Sequence, residues 1–109
     1  MEDCKREAKH IFLAKFKEGV TEEQIEECIK RLISLVDLFP SLKAFNWGKE
    51  MGIANFHQGF THVFESTFES AEGLAGFMSH PHHHDYANFL LPQLEKFVAF
   101  DFQPTKVQP

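Results

Sequence analysis

Two segments near opposite ends of this 109-residue chain, KHIFLAKF at 9–16 and KFVAFDF at 96–102, carry bulky apolar side chains on both parities. Successive side chains of a strand point to opposite faces, so each segment needs cover on both sides. In the first, His10, Phe12, Ala14 and Phe16 share one face, and Ile11 and Leu13 take the other. Helices of a small α+β layer can cover only one side of a sheet. Something else must cover the second, and another copy of the same sheet, related by two-fold symmetry, is the simplest candidate.

The intervening sequence supplies those helices. TEEQIEECIKRLISLVDLF opens with Thr21 and Gln24 in capping-box spacing and predicts a helix with Ile25, Cys28, Ile29, Leu32, Ile33 and Val36 on one stripe. Pro40 and Ser41 end it, KAFNWGK follows as a short strand, and Gly52 to Gly59 reads as a loop. GFTHVFESTFES alternates, with Phe60, His62, Phe64, Ser66 and Phe68 on one face and Thr61, Val63, Glu65 and Thr67 on the other. Residues 70–79 predict a short helix weakened by Gly73 and Gly76; Pro81 suits the first turn of another that Pro92 ends or kinks. QPTKVQP reads as a disordered tail. The order strand, helix, strand, strand, one or two helices, strand predicts one α+β domain, 1–109, with its core at about 9–104 and an antiparallel sheet carrying helices on one face.

Charge removes several classes of partner. A formal net charge of -5 without a basic patch argues against nucleic acid and against anionic membranes. No apolar run approaches the roughly 20 residues that span a bilayer, and only two cysteines occur, Cys4 and Cys28, after a charged N-terminus. A reducing, cytoplasmic setting is expected.

Four of the seven histidines crowd into SHPHHHDY. Adjacent helical residues diverge by about 100°, so His82, His83 and His84 cannot converge on one ion; only His80 and His84 have chelating spacing. Two ligands do not make a structural site, so neither a metal nor a cofactor is expected, and His82 and His84 read as solvated side chains. His10 and His62 lie on apolar strand faces, where a hydrogen-bonded core histidine is the commoner finding.

KHIFLAKFKEGVTEEQIEE, KAFNWGK, HQGFTHVFESTFES, the SHPxH element and the closing FVAFDF, taken together and in order, resemble the plant stress-responsive A/B-barrel domain family, most of all its small heat-stable, defence-linked members. The resemblance covers about positions 9 to 104. It implies a ferredoxin-like sheet that dimerises into an α+β barrel, with larger rings of dimers in some members. One member class is a cofactor-independent polyketide cyclase that closes a linear thioester by aldol condensation. On that pattern His83 is the general base, Asp101 the carboxylate that orients it, and His10 and His62 line a pocket with Leu32, Phe64 and Phe77. Such a base removes the acidic proton between two carbonyls. The chain departs from the cyclase at three of these positions. Phe77 replaces a tyrosine whose hydroxyl would meet developing negative charge, Phe64 a smaller valine, and Leu32 a tyrosine; Tyr86 is the one tyrosine available to compensate. The resulting expectation is a homodimer with a small apolar pocket, a small apolar or polyketide ligand, and little or no turnover. The alternative is an active cyclase of altered chain-length preference.

Overall fold

The computed structural model describes residues 6–107; Cys4 and the charged start of the chain lie outside them. The elements are β1 (Ala8–Phe16), α1 (Glu22–Val36), β2 (Leu42–Lys49), β3 (His62–Phe68), α2 (Ala71–Ser79), α3 (Pro81–Leu90) and β4 (Leu94–Phe102), with a 3-10 turn at Leu91–Gln93. They form one antiparallel sheet in the order β2-β3-β1-β4, the ferredoxin-like arrangement. Among the described residues no helix is long and apolar enough to cross a membrane.

Local chemistry sets the helix boundaries. Thr21 and Gln24 form the reciprocal capping box of α1, Oγ1 accepting from the Gln24 N–H at 3.1 Å and Oε1 accepting from the Thr21 N–H at 2.8 Å. Gly19, with φ of +93°, makes the turn out of β1 in a region that side chains disfavour. The glycines of α2 carry different weight. A Cβ at Gly73 would sit 2.8 Å from the Ser41 Cβ, so its absence lets α2 approach the start of β2, whereas Gly76 has no such neighbour. His80 caps α3, its Nδ1 accepting from the His82 N–H at 3.0 Å, and Pro81 occupies the first turn.

The α1 stripe is rotated from the expected one. Ile25, Cys28, Ile29 and Val36 are buried, but Ile33 is 46% exposed and Leu35 is buried in its place. The helix spans two apolar clusters: Ile25, Cys28 and Ile29 pack with Phe64 and Leu94, while Leu35 and Val36 join Ala8, Phe68, Leu74 and Phe77 beneath α2. The second cluster draws on the side of α1 that carries Leu35.

Among the described residues no helix covers the opposite face of the sheet. Strand pairing aligns Ile11 with Phe100, Leu13 with both Val63 and Val98, and Lys9 with Phe102. Side chains paired across antiparallel strands share a face, so these residues form an apolar surface on which Phe100 is 63% exposed and Phe102 46%.

Candidate functional site

A cavity of about 220 Å³ lies between the helix-covered face of the sheet and the helices. Its floor crosses all four strands: Phe45 from β2, Phe64 and Ser66 from β3, His10 and Phe12 from β1, Phe97 and Ala99 from β4. Leu32 of α1, Phe77 and Met78 of α2, and His83, Tyr86, Ala87 and Leu90 of α3 form the wall, with Leu91 just beyond. His10, Leu32, Phe64, Phe77 and His83 thus meet around one space. The volume exceeds that of an engineered benzene-sized void, about 150 Å³, and falls below typical drug-sized pockets of roughly 300 Å³ and more. It suits one ring or a short acyl chain.

His83 projects from the first turn of α3. Its side chain lines the cavity, and its Nδ1 is sealed from solvent without a hydrogen bond of ordinary geometry, which leaves Nε2 as the nitrogen not so sealed. Burial, and then the proximity of His10 and His84, hold its pKa below the ordinary histidine value, with the Met78 backbone pulling the other way. A neutral imidazole is therefore favoured, the form that accepts a proton. The Phe77 ring meets it edge-on with centroids 4.9 Å apart and is itself packed by Phe39 and Phe68.

Asp101 does not orient His83. The β1–β4 register sets Asp101 opposite His10, and its Oδ1 accepts from the His10 Nδ1–H at 2.5 Å. The carboxylate side chain is half exposed and lines an open groove with Ala8, Met78 and His84, outside the cavity. The pair therefore spans the cavity edge, His10 inside and Asp101 facing out. It fixes the His10 tautomer, because an ionised carboxylate can only accept.

His62 is not in the cavity either. It is paired with Ala14, four residues along β3 from Ser66, or about 13 Å at the usual strand rise. There it lies against Trp47, Phe64 and Phe16 and borders a separate groove with Lys15, Lys49 and Phe60. Thr61 Oγ1 donates to the Ala14 carbonyl at 3.3 Å and so accepts from the His62 Nδ1–H at 2.7 Å. Nε2 is sealed and unpaired, and burial, followed by Lys49, lowers the pKa.

Tyr86 lines the cavity, yet its hydroxyl donates to the Cys28 carbonyl at 2.7 Å, and burial pushes its pKa far up. That proton is committed, so Tyr86 does not replace the donor absent at Phe77. Ser66 is a lining residue that the motifs did not single out. The signal was present, since strict alternation places it on the same face as His62 and Phe64.

Comparison with known proteins bears on this geometry. The profile of the stress responsive A/B barrel domain matches residues 8–104. The chain belongs to that family. Among curated relatives, the stress-response A/B barrel domain-containing protein HS1 of Arabidopsis thaliana is 50% identical over 107 residues, covering 98% of each chain. Olivetolic acid cyclase of Cannabis sativa is 38% identical over 98 residues, covering 90% of this chain and 97% of the cyclase. Among solved structures, hydroxynitrile lyase from Passiflora edulis superposes with a TM-score of 0.88 at 28% identity, covering 96% of this chain and 99% of the lyase. The A/B barrel scaffold thus carries both a stress-response protein and named enzymes, and the differences must lie in side chains.

Proposed function

We propose that this stress-response family member acts as a homodimer in which each protomer holds a small carbonyl compound in its apolar cavity, with His83 as proton acceptor. The observation that carries this reading is the place of the His83 side chain: it lines the apolar cavity and its Nδ1 is sealed from solvent, while burial lowers its pKa and so favours the neutral ring. A carbon acid bound there, with its C–H between two carbonyls, would lose its proton to Nε2 while the electron pair moves onto oxygen. No cofactor enters that step. The relationship to olivetolic acid cyclase supports polyketide-like ligands, and the roughly 220 Å³ volume favours short tails.

A second reading, binding with little or no turnover, is favoured by one specific observation. Position 77 offers no hydroxyl, and that of Tyr86 is held by Cys28, so the α-helical wall has no neutral donor free to meet developing oxygen charge. Tri- and tetraketide thioesters of short and long tail separate the two. Under the catalytic reading, short-tailed substrates yield an aldol product absent from spontaneous reactions, and His83→Ala abolishes it. Product profiles equal to the uncatalysed lactones would leave binding alone.

The homodimer rests on the open face of the sheet. Ile11, Leu13, Val63, Val98 and Phe100 form an apolar surface with the Lys9–Glu65 pair, 3.4 Å apart, at its margin. A second copy would offer the same apolar centre and polar rim, the anatomy of a two-fold interface. Light scattering at micromolar concentration should give twice the chain mass; a monomer mass would reject the arrangement. The cytoplasm as setting, a role in defence and assembly into larger rings remain proposals of the same family resemblance.

A further inference from the structure

His10 and Ser66 are direct partners across β1 and β3, as His10 and Asp101 are across β1 and β4, and Phe45 is aligned with Ser66 on β2. Because paired residues share a face, Ser66, His10 and Asp101 form one polar row across the helix-covered side of the sheet. Ser66 is 4% exposed and His10 9%, and both line the cavity. Such burial normally obliges a polar group to find a partner. The Asp101 carboxylate engages Nδ1 of His10, so Nε2 is the ring nitrogen left over; in a singly protonated ring whose N–H points at a carboxylate, that nitrogen carries the lone pair. Ser66 Oγ–H makes no side-chain hydrogen bond to another described residue, so its proton is free to be donated. Neither His10 Nε2 nor Ser66 Oγ is among the sealed, unpartnered atoms of the described residues. The cavity floor, otherwise built of Phe45, Phe64, Phe12, Phe97 and Ala99, therefore presents an acceptor and a donor on neighbouring strands.

We propose that this pair reads the enol form of a 1,3-dicarbonyl compound, the enol O–H exchanging its internal hydrogen bond to the carbonyl for one to His10 Nε2, and the carbonyl so freed accepting from Ser66 Oγ–H. A lone ketone would satisfy Ser66 and leave His10 unpaired; a hydrocarbon would satisfy neither. The assignment deepens the carbonyl-pocket reading and rests on it. It also supplies, from the sheet, a neutral donor to oxygen that the helical wall lacks: when the diketo form loses a proton from the carbon between its carbonyls to His83, the electron pair of that C–H bond is delocalised onto an oxygen beside Ser66, and return of a proton to oxygen gives the enol. His10 and Ser66 would then be specificity-determining residues and Asp101 a positioning residue acting through His10.

The test uses three ligands of similar bulk: benzoylacetone, which enolises; 4-phenylbutan-2-one, a single ketone; and butylbenzene. Calorimetric titration of the full chain should rank them in that order, with about tenfold between the first and the last. Ser66→Ala and His10→Gln should each weaken benzoylacetone by about three- to tenfold and leave butylbenzene within about twofold, which also shows that the variants retain the cavity. Ser66→Ala alone should weaken the single ketone. Binding of benzoylacetone that neither variant changes overturns this assignment and spares the pocket. Equal weakening of all three ligands makes the row structural and overturns it too. Failure of the wild-type protein to bind either carbonyl compound overturns the carbonyl-pocket reading together with it.

Discussion

His10 and His62 occupy the same face of neighbouring strands, and both are more than nine-tenths removed from solvent, yet the structure gives them opposite chemical prospects. At His10 the Nδ1 is held by the Asp101 carboxylate, and the ring lines a cavity. At His62 the Nδ1–H is held by a threonine hydroxyl already tied to the backbone, and the other nitrogen is closed in beside Phe16 and Trp47. The difference teaches that burial of a histidine says little about its use; what decides is whether the nitrogen left over after one hydrogen bond has somewhere to reach. His83, whose ring also lines the cavity, belongs with His10, whereas the Nε2 of His62 is sealed.

The largest expected effect tests the cavity side of that contrast. His83→Ala should reduce any wild-type aldol rate by about a hundredfold or more, the usual contribution of a positioned base, and should leave the thermal midpoint nearly unchanged. The matching change at the other end, His62→Leu, should leave the rate within about twofold. Equal losses in both variants would erase the distinction between the two regions.

Next in size is the uncovered face. Phe100→Glu puts a charge at the centre of the proposed apolar interface and should raise the dimer dissociation constant by about a hundredfold or more, seen as monomer in sedimentation at micromolar concentration. Cavity ligands should still bind if the cavity belongs to one protomer.

Asp101→Asn comes third. It keeps the side-chain shape but lets position 101 donate, which destabilises the His10 tautomer with its lone pair in the cavity. A loss of about tenfold in affinity for an enolisable ligand is expected, with little change for a hydrocarbon. An unchanged preference between the two would sever Asp101 from the site.

The smallest effects concern stability. His62 carries an unpaired buried nitrogen, so His62→Leu should change unfolding free energy by no more than about 1 kcal/mol, and a gain is as compatible with the packing as a loss. The pH dependence has a definite sign. His62 and His83 have folded-state pKa values below 6.5, so the unfolded chain binds more protons in the interval between the two values. Their stabilising contribution is complete above about pH 6.5 and is lost as pH falls towards the folded-state values. The thermal midpoint should drop on that descent, and His62→Leu should flatten the drop by about half. A midpoint independent of pH between 5 and 7 would contradict both shifts.

Much of the architecture was legible in the sequence. The capping box at Thr21 and Gln24, the alternation through His62, Phe64, Ser66 and Phe68, and Pro81 at the head of α3 are local signals, and each appears as expected. The two-sided strands announced a face that helices leave open. Ile33 was misplaced because periodicity fixes a stripe only to within a residue or so, and the choice between Ile33 and Leu35 depends on where α2 sits. For the site, alternation told which strand residues share a face, and so brought His10, Phe64 and Ser66 to the helix side. It could not tell which carboxylate meets which histidine. His10 and Asp101 are 91 positions apart, and their contact exists only because β4 pairs with β1 in one register. Nor could periodicity show that one end of the same face opens into a cavity while at the other the Nε2 of His62 is sealed. Local patterns follow from backbone geometry and are written in short windows of sequence. Partners, cavities and sealed atoms follow from non-local packing, and those decided which histidines of this protein can act.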